Sequence, residues 1–133
     1  MITVLLADDH GVIRDALRYL LEAQGDIQIV AVAADGQEAV EKAMLYCPDV
    51  AVMDISMPRM DGIEATKQIC GICPHTQIVM LTIYNSSEHV QRALRAGAAG
   101  YVLKDAAGQE LVAAVRALHK GGHYYSPQID ARH

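Results

Sequence analysis

The sequence predicts an α/β domain in which helices cover both faces of a parallel sheet. Three observations carry this reading. Strand-like and helix-like patterns alternate five times along the 133 residues, the rhythm of repeated βαβ units. The runs Val4–Ala7, Val50–Met53 and Ile78–Leu81 are continuously apolar rather than alternating, as expected of strands buried on both sides. Four apolar runs also end on polar anchors: Asp8 and Asp9, then Asp54, then Thr82, then Lys104. The carboxyl ends of strands in an open parallel sheet share one edge, and ligands bind there. Carboxylates, a hydroxyl and an amine far apart in sequence are therefore expected to meet.

The elements follow in order. The first strand is expected at Thr3–Ala7. Ile13, Ala16, Leu17, Leu20 and Leu21 then form the i, i+3, i+4, i+7, i+8 stripe of an amphipathic helix. A second strand spans Ile27–Ala33. Asp35 with Glu38 is a capping-box pattern, and Val40, Ala43, Met44 and Cys47 make the apolar face of the helix it opens, which Pro48 ends. The third strand is expected at Asp49–Met53. Asp61 with Glu64 repeats the capping pattern before Ile63, Ala65 and Ile69. A fourth strand spans Gln77–Thr82; Asn85 with Glu88 is expected to cap a helix whose inner face is Val90, Ala93 and Leu94. Gly100–Leu103 is the fifth strand. The last helix is expected from Gly108 to Lys120, with Leu111, Ala114, Val115 and Leu118 inward and Gly121-Gly122 as its stop. Residues 1–122 then make one domain, and 123–133 a tail or the start of a linker.

Composition narrows the function. The chain is 52% hydrophobic with neither Trp nor Phe, so its core must be aliphatic. A formal charge of −5 argues against nucleic-acid binding by this segment alone, since such affinity rests on Lys and Arg neutralising phosphates. No apolar run approaches the roughly 18–20 residues of a membrane span, and the amino terminus lacks the basic region of a signal peptide; a cytoplasmic location is expected. The three cysteines, an odd number, exclude a complete disulfide framework. Cys70 and Cys73 form C-G-I-C. The motif falls late in a helix, and no second Cys/His pair has zinc spacing, so they read as small apolar residues.

The anchors define a chemistry. Two carboxylates about 5 Å apart repel by roughly 3 kcal/mol at an effective dielectric near 20. Asp8, Asp9 and Asp54 together therefore call for a cation or for protons. Mg²⁺ suits oxygen ligands, takes one or two carboxylates and often adds phosphate oxygens. One of these carboxylates can then serve as a nucleophile that forms an aspartyl phosphate, with Lys104 neutralising phosphoryl oxygens and the Thr82 hydroxyl donating to the new group. His10 follows the acidic pair, but Mg²⁺ prefers oxygen, so His10 reads as a loop residue.

The chain resembles the receiver domains of two-component response regulators. The resemblance rests on L-L-A-D-D-H, on D-I-S-M-P-R-M-D-G from Asp54 to Gly62, on the Thr of V-M-L-T and on the Lys of Y-V-L-K-D; it extends to about Tyr125. It implies a flavodoxin-like (βα)5 fold with a five-stranded parallel sheet in the order 2-1-3-4-5. It also implies that Asp54 is the phosphoacceptor, charged by a phosphohistidine on a sensor histidine kinase. Asp8, Asp9, Asp54 and the Ser56 backbone carbonyl would hold Mg²⁺. Thr82 and Tyr101 would be the switch residues, Lys104 would contact the phosphoryl group, and Met57, Pro58 and Gly62 would shape the adjoining loop. The side chains at Ser56 and Tyr84 would tune the lifetime of the phosphorylated state. A-D-D-H and the closing G-G-H-Y-Y-S-P are similar to the NarL/FixJ group, whose members continue into a helix-turn-helix DNA-binding domain. The Ser126-Pro127 ending reads as the start of such a linker. Homodimerisation is an open expectation, and no membrane partner is expected.

Two positions depart from the family pattern. Asp105 follows Lys104 where many receivers have Pro, leaving the cis or trans state of that bond open. Ala107 and Gly108 stand where the last helix would be capped by Ser or Thr, a loss of about 1 kcal/mol. Two other functions compete: a stand-alone receiver acting by protein–protein interaction, including one independent of phosphorylation, and a haloacid dehalogenase-like phosphatase. The latter needs a D-x-D motif after the first strand, and Asp8-Asp9-His10 does not provide one.

Overall fold

The computed structural model describes residues 1–129. Strands and helices alternate as β1 (Ile2–Ala7), α1 (Gly11–Glu22), β2 (Ile27–Ala33), α2 (Gly36–Tyr46), β3 (Val50–Asp54), α3 (Gly62–Ile72), β4 (Gln77–Thr82), α4 (Ser87–Ala96), β5 (Gly100–Leu103), α5 (Ala107–His119) and β6 (Tyr124–Tyr125). A 3₁₀ turn, Lys104–Ala106, joins β5 to α5. The sheet is parallel with order β2-β1-β3-β4-β5-β6. This is the flavodoxin-like doubly wound arrangement, with six strands rather than the five expected.

Alternate residues of the central strands feed two cores. Val4, Leu6, Val50, Val52, Val79, Leu81 and Val102 pack with Leu17 and Leu21 of α1 and with Leu111, Val115 and Leu118 of α5. Leu5, Met53, Ile78, Met80 and Tyr101 face the other way, onto Val40, Ile63, Ile69 and Val90 of α2, α3 and α4. Every residue of β3 is buried, which explains its unbroken apolar run.

The caps follow local hydrogen-bonding needs. Asp35 Oδ1 accepts from Glu38 N at 2.8 Å, and Glu38 Oε1 reaches back to Ala34 N at 2.7 Å. Asp61 accepts from Glu64 N in the same way. At α4 the cap is Ser86, one residue beyond the expected Asn85; its hydroxyl accepts from His89 N. The first turn of α5 has no side-chain cap, as its sequence foretells, and the 3₁₀ turn leads into it. The Lys104–Asp105 bond is trans, since no cis peptide occurs among the described residues.

Three expectations need correction. Met44, placed on the inner face of α2, is 60% exposed; the buried face is Ala39, Val40 and Ala43. The segment read as a tail packs onto the sheet. Tyr124 and Tyr125 pair with Gly100 and Tyr101, Ser126 is buried, and Ile129 joins the core. The physical reason is that Gly121, at φ +86°, turns the chain back beside β5, whose outer edge is otherwise unpaired. Residues 130–133, including His133, lie outside the described residues. Finally, Cys73 does not act as an isolated apolar side chain: it is disulfide-bonded to Cys47, with Cys70 left free.

Candidate functional site

Strand register brings the anchors to one edge. Ala7 pairs with Met53, which sets Asp8 level with Asp54. Asp54 pairs with Leu81, so Thr82 stands one step beyond it. Thr82 in turn pairs with Leu103, and Lys104 follows. Four sequence segments thus converge because parallel strands in register end together.

Asp8 and Asp54 are buried, while Asp9 and His10 are exposed. Lys104 Nζ bridges the two buried carboxylates, donating to Asp54 Oδ2 at 3.0 Å and lying 3.3 Å from Asp8 Oδ2. The Asp8 oxygen is off hydrogen-bonding geometry and is a buried oxygen with no hydrogen-bond partner. Asp8 Oδ1 instead accepts from His10 N at 2.8 Å. Asp54 Oδ1 accepts from Ser56 N at 3.3 Å. Burial pushes the Asp54 carboxyl above the usual carboxylate range and Asp8 adds to this, while Lys104 and the Ser56 amide oppose it. Burial pulls Lys104 the other way, but the charges and hydrogen bonds of Asp54 and Asp8 outweigh it, so the ammonium is held more firmly than usual.

Asp8, Asp9, His10 and Asp54 can each offer a ligand atom, all within 4.8 Å of one another. The fit to a hard divalent cation rests on the donors. Three carboxylates crowd one corner, and the Asp8 oxygen, which has Lys104 beside it but no hydrogen bond, gains a ligand role if a cation enters. The His10 nitrogen, 3.1 Å from Asp9 Oδ1 and 3.2 Å from Asp8 Oδ1, sits as a neighbour of those oxygens; Mg²⁺ has little use for it as a ligand.

A second chain of contacts leads away from the acids. Thr82, almost fully buried, accepts at Oγ1 from Tyr84 N at 3.1 Å. The buried Tyr101 phenol donates to the Tyr84 carbonyl at 2.6 Å. Burial pushes that phenol up to about 12, with the Thr82 hydroxyl opposing the shift. The Ser56 hydroxyl meets the Tyr84 phenol at 3.2 Å, so the side chains two residues past Asp54 and two past Thr82 touch above the site. Tyr84 also stacks on His89, with ring centroids 4.3 Å apart.

The adjoining loop is held by glycine. A side chain on Gly62 would overlap the Asp54 carbonyl, because Gly62 N donates to Ile55 O at 2.8 Å and draws the start of α3 against the end of β3. Met57 is buried and Pro58 exposed; the Pro58 carbonyl accepts from Met60 N. Sequence reasoning missed Gly36, which is packed against the Met60 carbonyl in the same way. Only its neighbouring N-cap Asp35 hinted at a special position. Arg59 was also missed. It has φ +69° and lies 3.7 Å from Asp35, and an Arg in a polar loop carries no signal of either.

Comparisons with known proteins agree on one family. Residues 4–116 match the family model for the response regulator receiver domain. The oxygen regulatory protein NreC of Staphylococcus carnosus is 42% identical over 127 residues, covering 95% of this chain and 58% of that protein. The chain therefore spans less than two thirds of the length of such curated relatives. Among solved structures, a LuxR-family two-component response regulator from Aurantimonas sp. SI85-9A1 superposes with a TM-score of 0.93 at 36% identity, over 97% of this chain and 92% of that one. The receiver domain of the putative response regulator NarL from Mycobacterium tuberculosis gives 0.86 at 33% identity, over 90% and 97%.

Proposed function

This chain belongs to the response regulator receiver domain family, in its LuxR/NarL branch, and from that premise we propose that it is a switch whose phosphoacceptor is Asp54. The observation that carries the reading is the buried Asp54 carboxylate at the end of β3, bridged to Asp8 by Lys104 at 3.0 and 3.3 Å. A carboxylate oxygen of Asp54 attacks the phosphorus of a phosphohistidine on a sensor histidine kinase. The P–O bond forms as the P–N bond breaks, and the imidazole leaves with the electron pair and takes up a proton.

Asp8, Asp9, Asp54 and the Ser56 backbone carbonyl would hold Mg²⁺, which when bound supplies charge neutralisation for the phosphoryl oxygens. Lys104 provides a further positive charge at Asp54, which the hydrogen bonds and charges of Asp54 and Asp8 hold in place against burial. Its short reach to both acids means it needs little reorganisation as charge builds up. The domain is a signalling module; its own chemistry is limited to gain and loss of this phosphoryl group.

The readout begins at Thr82. Its hydroxyl accepts from Tyr84 N before modification, and its own proton is available to a phosphoryl oxygen on Asp54. A shift of Thr82 toward that oxygen loosens the Tyr84 backbone, whose carbonyl also holds the Tyr101 phenol. The new charge thereby biases the β4–α4 loop and β5. Met57, Pro58 and Gly62 fix the loop beside the site, and contact between Ser56 and Tyr84 limits water access to the acyl phosphate. We place the domain in the cytoplasm, within a longer transcription regulator that reaches DNA through a separate domain. Residues 1–122 with the β6 segment act as its receiver, and a homodimer is the form in which such a regulator reads a two-fold site.

Acetyl phosphate or phosphoramidate with Mg²⁺ tests the reading by intact mass. The wild type is expected to gain one phosphoryl group and Asp54→Ala none. A wild type that stays unlabelled, or equal labelling of Asp54→Ala, refutes it.

A further inference from the structure

We propose that Cys47 and Cys73 form a reversible oxidation site that ties α2 to α3. The inference does not rest on the phosphoryl chemistry proposed for Asp54. Cys47 caps α2 and is exposed; Cys73 caps α3 and is buried. Their Cα atoms lie 5.6 Å apart, and the sulfurs are bonded across 26 residues of sequence. That separation falls in the middle of the range a disulfide spans.

The same geometry provides for the reduced state. Cys73 Sγ lies 3.3 Å from the Ala43 carbonyl, an acceptor for its thiol hydrogen when the bond is open. Neither state leaves the buried sulfur without a partner, so opening the bond asks only for local side-chain movement as the sulfurs separate. The third cysteine is kept apart. Cys70 turns toward the end of α4, with Sγ 3.9 Å from the Gly97 carbonyl, and burial raises its thiol above the usual range. That makes it a poor competitor for exchange.

In a reducing compartment such a bond is conditional, and cytosolic disulfides there are usually transient or redox-sensing. A hydroperoxide is the oxidant class that fits an exposed Cys47. The Cys47 thiolate attacks the peroxide oxygen, the O–O bond breaks, and the alcohol or water leaves, giving a sulfenic acid. The Cys73 sulfur then attacks the Cys47 sulfur, and the hydroxyl leaves as water with the proton from Cys73. One peroxide is reduced by two electrons and one disulfide forms. A dithiol reverses the step by exchange. Both sulfurs stand at helix C-termini, where the helix dipole disfavours thiolate, so the site responds to sustained oxidant rather than to a brief pulse. The loop it closes contains β3 with Asp54, the loop that follows, and α3, so oxidation stabilises the segment that carries the site.

The test uses the whole chain, reduced with dithiothreitol, freed of reductant, and treated with hydrogen peroxide. Expected are a loss of two hydrogens by mass, one alkylatable thiol mapped to Cys70, reversal by dithiothreitol, and a melting midpoint about 10 °C higher when oxidised. Cys70→Ser should behave alike, whereas Cys47→Ser and Cys73→Ser should show neither the bond nor the shift. A linkage through Cys70, linkage between chains, sulfinic acid at Cys47 without a bond, or equal melting of the two wild-type forms would overturn the proposal. The wild-type mapping decides this even if a serine variant folds poorly.

Discussion

Replacing Asp54 with Asn should stabilise the metal-free domain at neutral pH, although it removes a salt bridge. The carboxylate of Asp54 lies within 4.8 Å of that of Asp8, a repulsion of about 3.5 kcal/mol at an effective dielectric near 20. Attraction to Lys104 at 3.0 Å is about 5.5 kcal/mol on the same scale, so pairwise charges alone favour the ion. Desolvation of a carboxylate as buried as Asp54 costs several kcal/mol, and it prevails: the folded group titrates above its ordinary value of 3.8. A neutral side chain of the same shape escapes that desolvation, and single substitutions that change a buried polar group typically move stability by about 0.5–3 kcal/mol, so Asp54→Asn should gain stability within that range at pH 7. A carboxyl raised in the folded state is most favourable when protonated. Its contribution is fully present below the unfolded value and is lost as pH rises through the folded one. The advantage of Asn should therefore shrink as pH falls toward 4, and Mg²⁺ should close it at neutral pH by stabilising the wild type alone. Urea unfolding with chelator, at pH 7 and pH 4.5, measures it through a midpoint change at constant slope. A less stable Asn variant at pH 7, or a gap that widens on acidification, refutes the reasoning.

Other changes probe the scaffold. Gly62→Ala drives a methyl into the Asp54 carbonyl and should cost about 2 kcal/mol or more, because the obstacle is backbone; Gly71→Ala meets nothing within 4 Å and should gain about 0.5–1 kcal/mol. Equal effects in urea melts would contradict the close-approach argument. Ser126→Ala removes the acceptor of Leu103 N and the donor to Glu110 Oε1, a loss of about 1–3 kcal/mol with a buried N–H left unpaired; a change near zero would return the segment to the status of a tail.

Much of the candidate site was legible because each anchor follows an apolar run, and a parallel sheet aligns the ends of such runs. Asp54 shows the limit of that reading. The sequence places it just after β3, whereas it is the last residue of the strand, because its backbone still pairs with Leu81. Asn85 and Ser86 are equally good caps by type, and only the turn geometry after β4 selects Ser86. Met44 fell on the inner face because the apolar stripe on α2 is wider than the surface available to bury it: Met44, Leu45 and Tyr46 all remain exposed.

By itself the sequence determined the alternation, the doubly buried central strands and the edge on which Asp8, Asp9, Asp54, Thr82 and Lys104 stand. Those features follow from local periodicity and from the way successive parallel strands must connect. Tertiary structure alone decided which distant groups touch. It set Lys104 between two buried carboxylates, joined Cys47 to Cys73, laid Tyr124 and Tyr125 beside β5, and pressed Gly36 and Gly62 against backbone carbonyls. Such contacts depend on how helices and loops settle over the sheet to within about an ångström, and no pattern along the chain encodes a distance between residues that only the fold makes neighbours.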